Sequence, residues 1–304
     1  MSNRIYNKAA LTVPQQITLL SDRGLTLTPD STESRLNLVS LHRLKDYCLP
    51  FELNKKTHQF KVGTTFEDIW FLYIFDRELR LLVLDIIERI EVALRTTMGN
   101  YLSVKYTPHW SLDDNLFKHT WTKEKDPRKN SQKTIFLSEV KSICRNKHFH
   151  SSIEKFYEKY TSNTYLPSWI VLEHLSFGKC TSLFRNLRSN KNKFSISQRF
   201  GFHYSILESS LESIRYTRNL CAHHSRLWDR WFVYKPKKLK ELQAKHCIPG
   251  TLKEQLTLLD LLTKNIVPSS SWKNRLFELF SKYELSILFE RMGFIHAWKK
   301  DLFW

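Results

Sequence analysis

Residues 65–105 read TFEDIWFLYIFDRELRLLVLDIIERIEVALRTTMGNYLSVK, and this stretch decides the fold. It holds no proline and a single glycine, Gly99. Apolar side chains recur three and four residues apart, at Ile69, Leu72, Leu79, Leu82, Val83, Ile86, Ile87, Ile90, Ala93 and Leu94. That period is helical, because positions i, i+3 and i+4 share a face. About 40 residues rising ~1.5 Å each would span roughly 60 Å. The stretch is therefore either the spine of the molecule or breaks once, near Asp76 or Gly99. Its charged residues Arg77, Arg80, Glu88, Arg89, Glu91 and Arg95 read as a solvated face with i,i+3 and i,i+4 pairs.

The rest of the chain agrees with an all-α fold. Seven glycines in 304 residues are few, and nine prolines are few as well, so a fold of many strands and tight turns is disfavoured. Hydrophobic residues make up 41 % and aromatics 13 %, which excludes disorder. The longest apolar run, 69–75, stops at Asp76 and cannot span a membrane. Upstream, Thr12, Pro14 and Gly24 bracket a first helix. A second runs from about Ser31 to Tyr47, and 51–64 is irregular or briefly extended, with a turn at Gly63. Residues 107–134 suggest an exposed loop bearing Trp110 and Trp121, continuing through the charged stretch 123–129. Helices follow at about 134–146 and 149–161. Another opens at Pro167-Ser168-Trp169, runs through His174 and stops at Gly178. Further helices begin at about Tyr204, 251 and 270. The expected division is an N-terminal helical region, 1–64, and a helical domain, 65–304, with basic insertions and C-terminal helices.

Charge narrows the function classes. Forty-eight Lys and Arg against 30 Asp and Glu leave +18, with an isoelectric point near 9.7. Such a balance calls for a polyanionic partner, and nucleic acid is the usual one. No amphipathic basic helix with large exposed apolar residues supports a membrane partner. Five cysteines, odd in number and never paired as CxxC, read as reduced thiols. The N-terminus is polar where a signal peptide would be apolar, so the expected location is the cytoplasm.

Residues 215–230, RYTRNLCAHHSRLWDR, carry the chemistry. On a continuing helix Glu208, Glu212, Arg215, Asn219, His223, Arg226 and Arg230 form one polar stripe, with Leu207, Leu211, Ile214 and Cys221 opposite. Histidine exchanges protons near neutrality and Arg grips phosphate oxygens in a fork. With a ribose 2′-hydroxyl as internal nucleophile, Arg218, Asn219 and His223 suffice to cut RNA; they would also suit an ordinary solvated helix face. Adjacent histidines on a helix diverge by ~100° and do not readily share one ion. Cys144, His148 and His150 lack a partner pair at zinc spacing. Neither metal nor any other cofactor is expected.

The segment 218–228 resembles the signature of the abortive-infection AbiD/AbiF-like family of the HEPN superfamily, whose ribonucleases carry Arg-x4-6-His. Other segments match in order. They are Lys8 to Leu11 with Arg23-Gly24-Leu25, Tyr73 to Arg80, Ile90 to Arg95, Pro167-Ser168-Trp169 with Glu173 and Phe177-Gly178, and Met292-Gly293-Phe294 with Trp298. The resemblance implies a helical HEPN fold, metal-independent cleavage of single-stranded RNA and defence against phage. It also implies a homodimer whose two motifs meet, and possible restraint by a small RNA. Arg218, Asn219 and His223 match the catalytic motif, with His224, Arg215 and Arg226 in support. The expected dimer interface is helix 204–228 with part of 66–98. Phosphate contacts are expected from Lys179, Arg185, Arg188, Lys191, Lys193 and Arg199, and from Lys235, Lys237, Lys238 and Lys240. The competing reading is a catalytically silent RNA-binding or assembly protein of the same fold.

Overall fold

The computed structural model describes residues 9–123, 130–145, 150–283, 286–295 and 297–304. Lys8, the charged stretch 124–129 and His148 lie outside them. The fold is all-α, with one two-stranded sheet among the described residues. The chain divides into two compact units, Met1–Leu79 and Arg80–Trp304, and the division falls inside one helix.

The first unit opens with α1 (Val13–Asp22), begun by a reciprocal cap. The Gln15 N–H donates to the Thr12 hydroxyl (3.4 Å) and the Thr12 N–H to the Gln15 side chain (2.9 Å). Gly24, at φ +85°, follows its end. The expected single helix from Ser31 to Tyr47 is two, α2 (Pro29–Leu38) and α3 (Leu41–Cys48). The break lies where Val39 turns extended and the Ser40 hydroxyl accepts the Arg43 N–H (3.3 Å), a cap that needs neither proline nor glycine. β1 (Glu52–Asn54) pairs antiparallel with β2 (Gln59–Phe60).

α4 (Phe66–Lys105) is continuous, so neither Asp76 nor Gly99 breaks it. Asp76 is buried and accepts a hydrogen bond from the Tyr47 hydroxyl (2.7 Å), so it has an internal partner without ending the helix. Ile86, Ile87, Ile90, Leu94, Met98 and Leu102 are all fully buried. Of its charged residues Arg77, Glu88 and Arg89 are exposed as a solvated face requires, but Arg80 and Glu91 are buried.

The second unit adds α5 (His119–Thr122), α6 (Gln132–Arg145), α7 (Ser151–Lys159), α8 (Ser168–His174), α9 (Phe177–Asn186), α10 (Asn190–Ser197) and α11 (Tyr204–Ala222). After these come α12 (Lys240–Ala244), α13 (Leu252–Ile266), α14 (Trp272–Tyr283) and α15 (Ser286–Arg291). The segment expected to expose Trp110 and Trp121 instead buries both. Phe117 lies 4.4 Å from Trp121, which lies 5.7 Å from Phe136. The Lys133 ammonium caps these rings and donates to the Ser111 carbonyl (2.8 Å). Gly178 does not stop α8, which ends at His174; it lies inside α9, begun by the Ser176 cap. There a Cβ would lie 3.4 Å from Cδ of Arg215, so the absent side chain lets α11 approach α9.

The C-terminal aromatics fold onto α14, with Phe280 stacked 4.6 Å from Phe289 and near Trp298 and Trp304. Asp301 organises their return. Its carboxylate pairs with the buried Lys253 ammonium (2.9 Å) and accepts the backbone N–H groups of Ile295 (3.0 Å) and Phe303 (2.8 Å). Removing one partner from a buried pair strands the other charge. Lys253→Met is expected to cost on the order of 3 kcal/mol, read as a lowered urea midpoint at unchanged slope. A midpoint shift below about 1 kcal/mol would show that the two backbone donors alone satisfy Asp301.

Candidate active site

α11 positions the motif. Its N-terminus starts at His203, whose Nδ1 accepts the Ser205 N–H (3.3 Å). One side is buried through Leu207, Leu211, Ile214 and Cys221. Ser210, Ser213 and Thr217 are buried with them, and the Ser213 hydroxyl lies 2.8 Å from Oε1 of Gln255 on α13. Small polar side chains here let two helix backbones approach while the Ser213 and Thr217 hydroxyls find partners. The opposite side therefore faces outward, and it carries Arg215, Arg218 and Asn219.

The helix ends at Ala222, not beyond Arg226. His223 is the C-cap, and its N–H donates to the Asn219 carbonyl (2.9 Å). The His224 N–H donates to the Cys221 carbonyl (3.0 Å) and the Ser225 N–H to the Leu220 carbonyl (2.8 Å). This double closure is the Schellman arrangement, and its left-handed residue is His224, at φ +55°, where glycine is the usual choice. The polar stripe drawn as far as Arg230 is thus cut at His223. The imidazole of His223 is exposed and makes no hydrogen bond among the described residues, and the Asn219 side chain likewise makes none.

Arg218 points back toward α4. Its side chain is 40 % exposed, and its Nε lies 4.0 Å from Oε2 of Glu91. The other Glu91 oxygen pairs with Arg95, whose guanidinium also donates to the Leu175 carbonyl (2.8 Å). A buried carboxylate thus meets two guanidiniums: Arg95 is hydrogen-bonded through one terminal nitrogen, while Arg218 is only approached and keeps an open side. Periodicity assigned Glu91 and Arg95 to a solvated face. Their i,i+4 spacing amid the apolar positions Ile90 and Leu94 was the available sign that a second layer covers them.

The supporting residues are differently placed. Arg215 is bound in a fork by Glu212 (2.5 and 3.3 Å), and this contact lowers the Glu212 carboxyl below its ordinary range. Arg226 lies off the helix, its guanidinium 5.4 Å from the ring of the buried Trp228, and Arg291 lies as close to the same ring. Asp229 pairs with Arg291. His224 is exposed beside His223.

Among the expected phosphate contacts, Lys193 is excluded. It is 1 % exposed, its ammonium bound by Glu208 (2.5 Å) and the Arg185 carbonyl (2.7 Å), and burial lowers its affinity for the proton. Lys179 pairs with Glu139 (3.1 Å) and Arg185 lies 3.6 Å from Glu212. Arg188, Lys191, Arg199, Lys235, Lys237, Lys238 and Lys240 are exposed. No group of three or more His, Cys, Asp or Glu is placed to hold a metal among the described residues. All five cysteines are free thiols, and among the described residues no helix is long and apolar enough to cross a membrane.

The family model described as Abi-like protein matches residues 34–229, from α2 to the turn after α11. No curated protein and no solved structure matches the chain.

A left-handed residue with a Cβ costs about 1 kcal/mol against glycine. His224→Gly should therefore raise stability by about 0.5–1 kcal/mol in thermal or urea melts. A fall in stability would mean that the His224 side chain holds the turn together.

Proposed function

The chain belongs to the Abi-like protein family, and from that premise we propose that it is a metal-independent endoribonuclease of the HEPN type that acts in abortive infection against phage. One observation carries the reading: an exposed imidazole with no partner among the described residues, His223, closes the helix that presents Arg218 and Asn219 one turn earlier. A side chain without internal bonds is available to a substrate, and histidine is the side chain best suited to proton transfer near neutrality.

The proposed reaction is transesterification of single-stranded RNA. One imidazole takes the proton of a ribose 2′-hydroxyl as its oxygen attacks the adjacent phosphorus. The bond to the 5′-oxygen breaks, and that oxygen receives a proton from a second imidazole. A 2′,3′-cyclic phosphate and a 5′-hydroxyl result. Arg218, steadied by Glu91 yet open on one side, offsets charge on the pentacoordinate phosphorus, and Asn219 orients ribose or imidazole. Base and acid come from His223 of two copies of the chain, which makes the enzyme a homodimer. The interface uses α11, now ending at Ala222, with part of α4. A hollow of about 330 Å³ lined by Leu81, Leu84, Glu88, Glu91 and Arg218, beside the exposed Leu81 and Val92, favours that face. Arg188, Lys191 and the 235–240 lysines guide the RNA, and a small RNA bound there would restrain the enzyme until infection.

His223→Ala should lower cleavage by roughly 10²–10⁴-fold with RNA affinity nearly unchanged, and wild-type cleavage should persist in EDTA. Retained cleavage by His223→Ala, or strict dependence on magnesium, would remove the proposal. Reversing charge at Arg188, Lys191, Lys237 and Lys238 should weaken RNA binding by orders of magnitude at moderate salt and flatten its salt dependence. Lys193→Ala should instead reduce stability, a contrast that separates the buried cation from the exposed ones.

A further inference from the structure

The first unit contains a cavity of about 530 Å³ bounded by α1, α3 and the β1–β2 hairpin. This lies within the range of small-molecule sites. Phe60 and Cys48 contribute apolar wall, and both are buried. Glu52 stands in the same wall with its side chain only 5 % exposed. One of its oxygens faces Nδ1 of His58 at 3.1 Å; the other, Oε2, is buried and has no hydrogen-bond partner among the described residues. A buried carboxylate oxygen left without a donor is costly, and such groups in native proteins ask for an explanation.

The hairpin is shaped to hold this arrangement. His58 adopts φ +58°, a backbone conformation rare for a residue with a Cβ, and its N–H donates to the Asn54 carbonyl (2.7 Å). The strain carries the imidazole back over Glu52, so the carboxylate is fixed on one oxygen and leaves the other to a ligand. Around the cavity two cations, Arg23 and Lys45, stand with two carboxylates, Asp46 and Glu52. Burial first, and the Glu52 charge second, push the Cys48 thiol up to about 12, so this wall carries no thiolate nucleophile.

We propose that this cavity binds a guanine base, with Oε2 of Glu52 accepting its N1–H, the other oxygen, shared with His58, accepting a 2-amino hydrogen, and Arg23 and Lys45 at the rim receiving its phosphate. The chemistry selects guanine among common bases. A carboxylate has no donor of its own, and guanine presents two adjacent N–H donors on its Watson–Crick edge, whereas adenine presents an acceptor at N1. Apolar walls suit a flat ring, and the cations suit the attached phosphate. A free guanine nucleotide and an unpaired guanosine of an RNA share this chemistry. The inference does not rest on the nuclease reading, because it concerns binding in a different unit.

Isothermal titration of the full chain with guanosine 5′-monophosphate and adenosine 5′-monophosphate tests it. A parallel series uses cleavage-resistant 2′-O-methyl oligouridine containing one guanosine or one adenosine. Guanine should be preferred at least tenfold in one of the two series; preference for the mononucleotide identifies a free nucleotide as the source, and preference only in the oligomer identifies RNA. Glu52→Gln should abolish the preference, and Arg23→Glu should weaken the phosphorylated probes while sparing guanosine itself. Should Glu52→Gln fail to fold, the wild-type comparison of guanine with adenine and the Arg23→Glu variant still decide. Equal affinity for the two bases, no binding of either guanine probe at millimolar concentration, or an unaltered preference in a folded Glu52→Gln protein would overturn the proposal.

Discussion

A buried carboxylate on α4 is the constraint around which the candidate active site is arranged. A carboxylate buried in the second unit needs cationic partners, and Glu91 is met by guanidiniums, Arg95 from its own helix and Arg218 from α11. That requirement ties the orientation of α11 to α4 through charge, in addition to the apolar side that α11 packs inward. The apolar stripe from Ile86 to Leu102 keeps the helix in place, since so long a helix owes its stability to packing more than to propensity.

The excess of basic residues is not consumed inside the fold. Glu91, Glu208, Glu212 and Asp301 are committed to internal partners, and they engage one base each, Arg95, Lys193, Arg215 and Lys253. Those charges cancel in pairs, so the whole excess of +18 stays with the rest of the chain. Exposed cations such as Arg188, Lys191 and the lysines from 235 to 240 carry part of it and contribute to the long-range field.

The helical class was legible because 65–105 repeats its apolar residues at one period with no breaker, and the motif was legible because Arg, Asn and His fall within one short segment. The features that sequence reading missed share a physical cause. The Val39–Ser40 break uses a serine cap, a residue too common to signal an end by itself. The end of α11 is closed by a left-handed histidine where glycine would have announced it. Trp110 and Trp121 lie in short irregular elements with no periodicity, so their burial depends on Lys133 and Phe136 from a later helix. Lys193 looked like its neighbours until Glu208, fifteen residues on, claimed it. Each of these rests on a contact that local pattern does not encode.

The clamp on Trp228 bears on modularity. The family match ends at Asp229, yet the carboxylate of that residue is held by Arg291, which also covers the indole of the preceding tryptophan. The turn carrying His223 and His224 is therefore anchored from beyond the matched span. A fragment cut at the edge of the family domain would keep every motif residue and lose the brace behind them. The inherited segment and the folding unit are not the same object here: the C-terminal helices belong to the site as architecture, although none of their side chains belongs to the motif.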